Sequence, residues 1–309
     1  MAINRGNISK ELLPGLNAIF GLEYGSVDDE NNTLFETENS DRAFEEEVLF
    51  TMFGEAPVKS EGAAVQYDSA QEAYTSRYTH ETVALAFAVT EEAMEDNLYD
   101  TFAKVRAKGL ARAMASTKQV KGANVFNNAF SASYVGGDAV ALISDSHPTI
   151  GDGNQSNKIG TSAIAVSTIE TAVTAINKIK DDRGILVGAS PTSVHIPPEL
   201  AFETEMLLKS AGLPLGSVTY SSSLYAPNDL NPIKSLGILP GGSHVNRRFT
   251  DTDNWFVKTD CPNGTKMFNR SPLATKMEPD FDTGNLRFKA RERYSFGWSD
   301  WRHWFGAEV

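Results

Sequence analysis

The stretch Val83-Ala84-Leu85-Ala86-Phe87-Ala88-Val89 runs without a break into Thr90-Glu91-Glu92-Ala93-Met94. Two periods meet there. Val83, Leu85, Phe87 and Val89 alternate with alanines, the period-two pattern of a strand. Thr90 is a good N-cap, and Glu91 and Glu92 suit the positive end of a helix dipole. Met94, Leu98, Phe102 and Val105 then mark a helical stripe. Helix-forming residues continue to Phe130, with Gly109 and Gly122 as weak points. A helix of roughly forty residues would be about 60 Å long, which reads as a strut.

Toward the N-terminus, Glu47 to Phe53 is apolar after a polar lead-in and is expected to pair with the Val83–Val89 strand. Gly54 to Arg77 lies between them, and Val65 and Tyr67 alternate with Gln66 and Asp68, so the hairpin is expected to continue outward. A long two-stranded projection is marginal alone and implies a partner to lean on. Ser26 to Asp41 is acidic (Asp28, Asp29, Glu30, Glu36, Glu38, Asp41) and reads as a solvated linker or mobile loop. Before it, Leu12, Leu16, Ile19 and Phe20 fall on one helical stripe, with Gly25 as a stop. That stripe is too small to build a core. It docks either on its own domain or on a neighbouring subunit.

Toward the C-terminus, Gly136 to Gly160 is loop-rich. Asp152, Asn154 and Ser156 have calcium-loop spacing, but the required glycine and terminal glutamate are missing, so a plain turn is expected. The second half alternates α and β. Ser167-Thr168-Ile169-Glu170 reads as a capping box, Ile169, Val173, Ile176 and Ile179 as an apolar face, and Gly184 as its close. Thr192–Ile196, Ile185–Val187 and Trp255–Lys258 are strand candidates, and Glu199–Ser210 is an amphipathic helix. Leu286 to Phe296 alternates in part and carries Arg287, Lys289, Arg291 and Arg293. Trp298, Trp301, Trp304 and Phe305 read as buried anchors, not as a stacking surface.

The chain of 309 residues has a net charge of −12, one cysteine and no basic block. A reading function on DNA needs clustered cations, which are absent. An acidic wall suits a container in which DNA slides and repacks. Cys261 lies in a turn, Cys261-Pro262-Asn263-Gly264, and cannot form an internal bridge. No stretch reaches membrane length. Phosphate loops, dinucleotide fingerprints and nucleophile elbows do not occur. The five histidines are scattered, and Asp145, His147, Asp251 and Asp253 read as loop caps. No cofactor or metal site is expected. The rival from another class is a cytosolic hydrolase or transferase built on Asp145, His147 and Asp253.

Several stretches carry a family resemblance. They are Leu12–Ala18 with Phe20–Tyr24, Phe53–Lys59 leading to Tyr74–His80, and Asn124–Phe130 followed by Gly136-Gly137-Asp138 and Ser146-His147-Pro148. Asn246–Trp255 and Glu292–Trp301 complete the set. In this order they resemble the major capsid proteins of tailed phages with the Hong Kong 97-type shell fold. The resemblance implies an α+β protein with an N-terminal arm (1 to about 40) and an extended E-loop hairpin (41–89). A peripheral domain begins with a spine helix (90–165), an α/β axial domain follows (166–265), and C-terminal strands return to the peripheral domain (266–309). It implies hexamers and pentamers in an icosahedral shell around packaged DNA, made in a bacterial cytoplasm, with scaffold and portal proteins and a possible decoration protein as partners. Leu12, Leu16, Ile19, Phe20, Phe53, Lys59, Tyr67 and Tyr78 are the candidate subunit-interface residues. Lys59 is the only lysine near the hairpin tip, but no asparagine or glutamate partner for a covalent crosslink is apparent by motif. The matched arm starts within a dozen residues of Met1, so any scaffold is expected to be a separate protein. An encapsulin-type nanocompartment shares the fold and is the nearer alternative.

Overall fold

The computed structural model describes residues 16–90, 92, 99–151, 153–212, 230–280 and 283–309. The chain forms two compact units, each assembled from separated segments. The first takes residues 1–45, 78–122 and 267–296; the second takes 46–77, 123–266 and 297–309.

The first unit is built on a four-stranded sheet. Its order is Glu36–Asn39, Thr265–Pro279, Leu286–Trp298, Glu81–Val89. The Val83–Val89 alternation forms a strand as expected, but its partner differs from the expectation. Glu81–Val89 pairs antiparallel with Leu286–Trp298, from Glu81↔Tyr294 to Val89↔Leu286. The Glu72–Thr79 strand takes the pairing with Phe44–Phe50 instead. Alternation fixes which face of a strand is buried, not which strand lies beside it. Along Leu286–Trp298 burial alternates, with Leu286, Phe288, Ala290, Glu292 and Tyr294 inward and Arg287, Lys289 and Arg291 outward.

The long helix spans Tyr99–Asn127 among the described residues, about 43 Å at 1.5 Å per residue. It ends at Asn127, short of Phe130. Of the expected stripe, Met94, Leu98 and the side chain of Phe102 lie outside the described residues, and Val105 is 62% exposed. Ala103, Ala107, Leu110, Ala111 and Met114 are the buried positions, spaced as one helical face. Small residues let this helix approach the sheet closely, so the core face is written mainly in alanine. Gly122 takes this further. A Cβ there would sit 2.4 Å from the Asn31 Oδ1.

The acidic segment from Ser26 to Asp41 is not a free linker. It forms the short helix Asn31–Leu34 and the strand Glu36–Asn39. Asn31, Leu34 and Phe35 are buried, Phe35 meets Phe296 edge-on at 4.9 Å, and Asn31 bonds to Gln119 and the Lys118 carbonyl. Leu34 and Phe35 anchor the run, and Asp29 accepts from the Gln119 amide at 2.6 Å.

The second unit carries a five-stranded mixed sheet. Its order is Lys158–Gly160, Trp304–Ala307, Trp255–Thr259, Pro191–Ile196, Ser243–Val245. The middle pairs are antiparallel and both edges are parallel. Helices Val166–Asn177 and Ala201–Lys209 supply Val166, Ile169, Ile176 and Leu207 to a core with Val194, Trp255, Val257 and Phe305. The capping position shifts from Ser167. The helix starts at Val166, and the Thr168 hydroxyl accepts from the Ala165 N–H at 2.8 Å. It closes at Asn177; Gly184 belongs to the following turn, with φ +85°. Ile185–Val187 makes only an isolated bridge, Lys180↔Leu186. The aromatic tail is buried at Trp301, Trp304 and Phe305. Trp304 packs edge-on against Phe126 at 4.6 Å.

Candidate subunit interface

The chemistry-bearing residues are absorbed by local structure. His147 is buried, its Nδ1 2.7 Å from Asp138 Oδ2 and its Nε2 3.0 Å from Asn157 Oδ1. Its ring stacks on Trp301 at 4.2 Å, and the Arg302 guanidinium lies 4.7 Å from the same indole. Both ring nitrogens are therefore occupied, and neither by Asp145 or Asp253. Asp251 accepts from the Asp253 N–H and the Asn254 amide. The one cysteine, Cys261, is buried, and burial pushes its thiol pKa up, away from the reactive thiolate. Burial also holds His195 well below the ordinary imidazole range. Asp152, of the calcium-like run, lies outside the described residues. Among the described residues no three His, Cys, Asp or Glu are placed to share a metal.

What the described surface offers is apolar area. The segment between the Phe44–Phe50 and Glu72–Thr79 strands has no strand of its own. The expected continuation through Val65 and Tyr67 is therefore absent within one chain. Val58 is 99% exposed and Tyr67 95%; Phe53, Met52 and Val65 are exposed beside them, and so is Lys59.

The base of this segment is fastened. Thr51 donates its N–H to the Gln71 carbonyl at 2.8 Å and accepts from the Gln71 N–H at 2.9 Å through its hydroxyl. Asp68 accepts from the Gly54 N–H at 2.7 Å, from the Ser69 N–H at 2.9 Å, and from Arg183 at 3.0 Å. Those two backbone donors, with Arg183 added, hold the Asp68 carboxyl below its usual range. The segment is thus held at its root while its apolar side chains face water.

The other expected interface residues divide. Leu16 and Phe20 are buried in the first unit's core, where Phe20 meets Phe288 at 6.2 Å; Ile19 is half-buried beside them. The helix of residues 16–25 is further tied down by Asn17 to Thr275 at 2.7 Å and by Tyr24 to Glu292 at 3.2 Å. Tyr78 is buried against Phe268. Leu12 lies outside the described residues. Area already covered inside one chain is not available to a neighbour. Exposed apolar residues that sequence reasoning missed are Leu85 and Val105 in the first unit and Phe202, Met206 and Leu236 in the second. The i, i+4 pair Phe202 and Met206 was a readable signal, because both fall on one side of their helix while Thr204 and Leu207 are its buried residues.

The sequence matches the family model described as phage capsid protein over residues 72–306. No curated protein matches it. Solved structures resemble it in fold. A virus-like particle protein from Pyrococcus furiosus has TM-score 0.53 at 10% identity, covering 96% of this chain and 98% of that one. The capsid of an empty GTA particle has TM-score 0.54 at 14% identity, covering 91% and 90%. A phage-related protein of Bordetella bronchiseptica RB50 has TM-score 0.51 at 12% identity, covering 94% and 96%. Among the described residues no helix is long and apolar enough to cross a membrane.

Proposed function

The chain belongs to the phage capsid protein family, and on that premise we propose that it assembles as hexamers and pentamers into an icosahedral head around double-stranded DNA. It is a structural shell protein with an α+β fold of the Hong Kong 97 type. The observation that carries the finer reading is the fastened, strandless segment of residues 51–71, which presents apolar side chains that a lone subunit leaves in water. Phe53, Lys59 and Tyr67 are assigned to contacts with neighbouring copies. Leu12 is assigned to an N-terminal arm that crosses a neighbour, while Leu16, Ile19, Phe20 and Tyr78 shape the subunit that receives such contacts. Residues 1 to about 40, 41–89, 90–165, 166–265 and 266–309 are assigned as arm, E-loop, peripheral, axial and returning peripheral parts. Many modest contacts, closed by symmetry, supply the shell's stability. A net charge of −12 leaves the packaged DNA without a specific hold on the wall.

Scaffold and portal proteins, a possible decoration protein, assembly in a bacterial cytoplasm and residence in the virion belong to the same reading, in which the protein performs no catalysis. The likeness to the Pyrococcus furiosus particle protein favours one second reading, a nanocompartment of encapsulin type. Electron microscopy of shells purified from an infected or expressing cell separates the two. Large heads with a portal vertex and duplex DNA support the first; small, portal-free shells holding a cargo protein support the second.

A further inference from the structure

We propose that His195 and His244 form an acid-sensitive fastener in the second unit: as neutral rings they hold the edge strand Ser243–Val245 on its sheet, and proton uptake releases it. The inference concerns the subunit itself and does not depend on the shell reading.

Ser243–Val245 is the last strand of the five-stranded sheet. It is three residues long and pairs with Pro191–Ile196 alone, with His244 in register with His195. Two backbone bonds extend this ladder: the Val194 N–H donates to the Gly242 carbonyl and the Asn246 N–H to the Ile196 carbonyl, each at 2.9 Å. The two imidazole rings lie 5.0 Å apart, tilted by 32°. His195 is 1% exposed, and His244 is half-buried. His195 also meets the Trp304 indole edge-on at 4.9 Å. Trp304 is fully buried and donates to the Thr265 hydroxyl at 3.0 Å, so the indole has little room to yield. The edge strand is the neighbour of His195 that can move.

The hydrogen bonds of His195 suit a neutral ring. Its Nε2 lies 3.1 Å from the Ser193 hydroxyl. Its Nδ1 is buried and has no partner among the described residues. A protonated imidazole donates from both nitrogens, so one donor would be left buried without an acceptor. Charge works in the same direction. The groups that act on a charge at His195 are His244 on the edge strand, Lys258 on Trp255–Thr259 and His303 just ahead of Trp304–Ala307. Each is a cation when charged, and none is a carboxylate. Lys258 also opposes a charge on His244. Lifting the edge strand takes His244 away from the buried ring and admits water, so the opened form accepts a proton that the closed form refuses. The closed form is favoured in full above the ordinary imidazole pKa. That preference is lost as pH falls below it, by up to about tenfold per pH unit for one such group.

The test is hydrogen–deuterium exchange of the unassembled full chain at about pH 7.5 and about pH 5, with each rate corrected for the intrinsic pH dependence of amide exchange. Protection at the Val194 and Asn246 amides is expected to fall at least about tenfold at the lower pH, while the amides of Trp255–Thr259 keep theirs. His195→Gln takes up no proton in this range. It is expected to remove the pH dependence, whatever it does to protection at the higher pH. His244→Gln, at a half-buried position, is expected to reduce the fall at least about threefold by removing one of the opposing charges, and it carries the comparison if the first variant does not fold. Equal protection at the two pH values in the wild-type chain, or a fall in the folded variants as large as in wild type, would overturn the proposal.

Discussion

Gly122 is a residue where the backbone of the long helix comes close to a side chain of its own unit. A Cβ at that position would meet Asn31 Oδ1 at 2.4 Å and Cγ at 2.6 Å. Asn31 is buried and bonded to Gln119 and the Lys118 carbonyl, so it has little room to yield. Gly122→Ala is therefore expected to destabilise the subunit by about 1–3 kcal/mol despite its gain in helix propensity, read from urea unfolding of unassembled protein. Glu292 makes a second residue-level prediction. It is buried, and burial raises its pKa, while Lys118 and the Tyr24 hydroxyl pull it back. The folded state thus holds its proton to higher pH than the unfolded state. Stability from this group is present below the unfolded carboxyl pKa and is lost as pH rises through the raised folded value. Glu292→Gln keeps an acceptor for Tyr24, and the variant is expected to gain stability relative to wild type as pH rises toward neutrality. Parallel urea midpoints for the two proteins across that range would count against this assignment. In the sequence Gly122 reads only as a weak point, and Glu292 only as one letter of a charged strand. Neither the close approach nor the burial has a local signature.

At the scale of elements, the two periods of Val83–Met94 predict a strand running into a helix, and the strand is there, because alternation is a local property. Pairing is not. The partner of Glu81–Val89 is Leu286–Trp298, near the other end of the chain. The helix face departs from the expected stripe for a different reason. Large apolar residues attract attention, yet Val105 is exposed and Ala103, Ala107 and Ala111 are buried. Ala107→Leu is expected to cost about 1–3 kcal/mol by overpacking. Val105→Glu should change subunit stability by no more than about 0.5 kcal/mol. Thermal unfolding of the pair distinguishes these outcomes, and the reverse order would invert the face assigned to this helix. The 51–71 segment reads in the sequence as an outward hairpin; within one chain its base is fastened and no strand continues beyond it. Asp68→Asn removes the charge that Arg183 holds and is expected to speed proteolytic cleavage within residues 52–67. Unchanged cleavage rates would mean that the Thr51–Gln71 pair fastens the segment by itself.

At the scale of the whole molecule, the order of the matching stretches points to a capsid family, and the family match over residues 72–306 agrees with it. No local pattern marks residues 297–309 as part of the second unit, which they join through the Trp304–Ala307 strand between Lys158–Gly160 and Trp255–Thr259. Of the candidate interface residues, Phe53, Lys59 and Tyr67 are exposed, whereas Leu16, Phe20 and Tyr78 are covered inside the subunit. A spacing rule reports that a residue belongs on an apolar face and is silent on whose apolar face it meets. The central claim, that identical copies of this chain close into a shell, is tested most directly by electron microscopy with light scattering across a concentration series at near-physiological salt. Closed shells built of five- and six-membered rings are the expected result. A compact monomer at every concentration, with a scaffold protein present or absent, would contradict it.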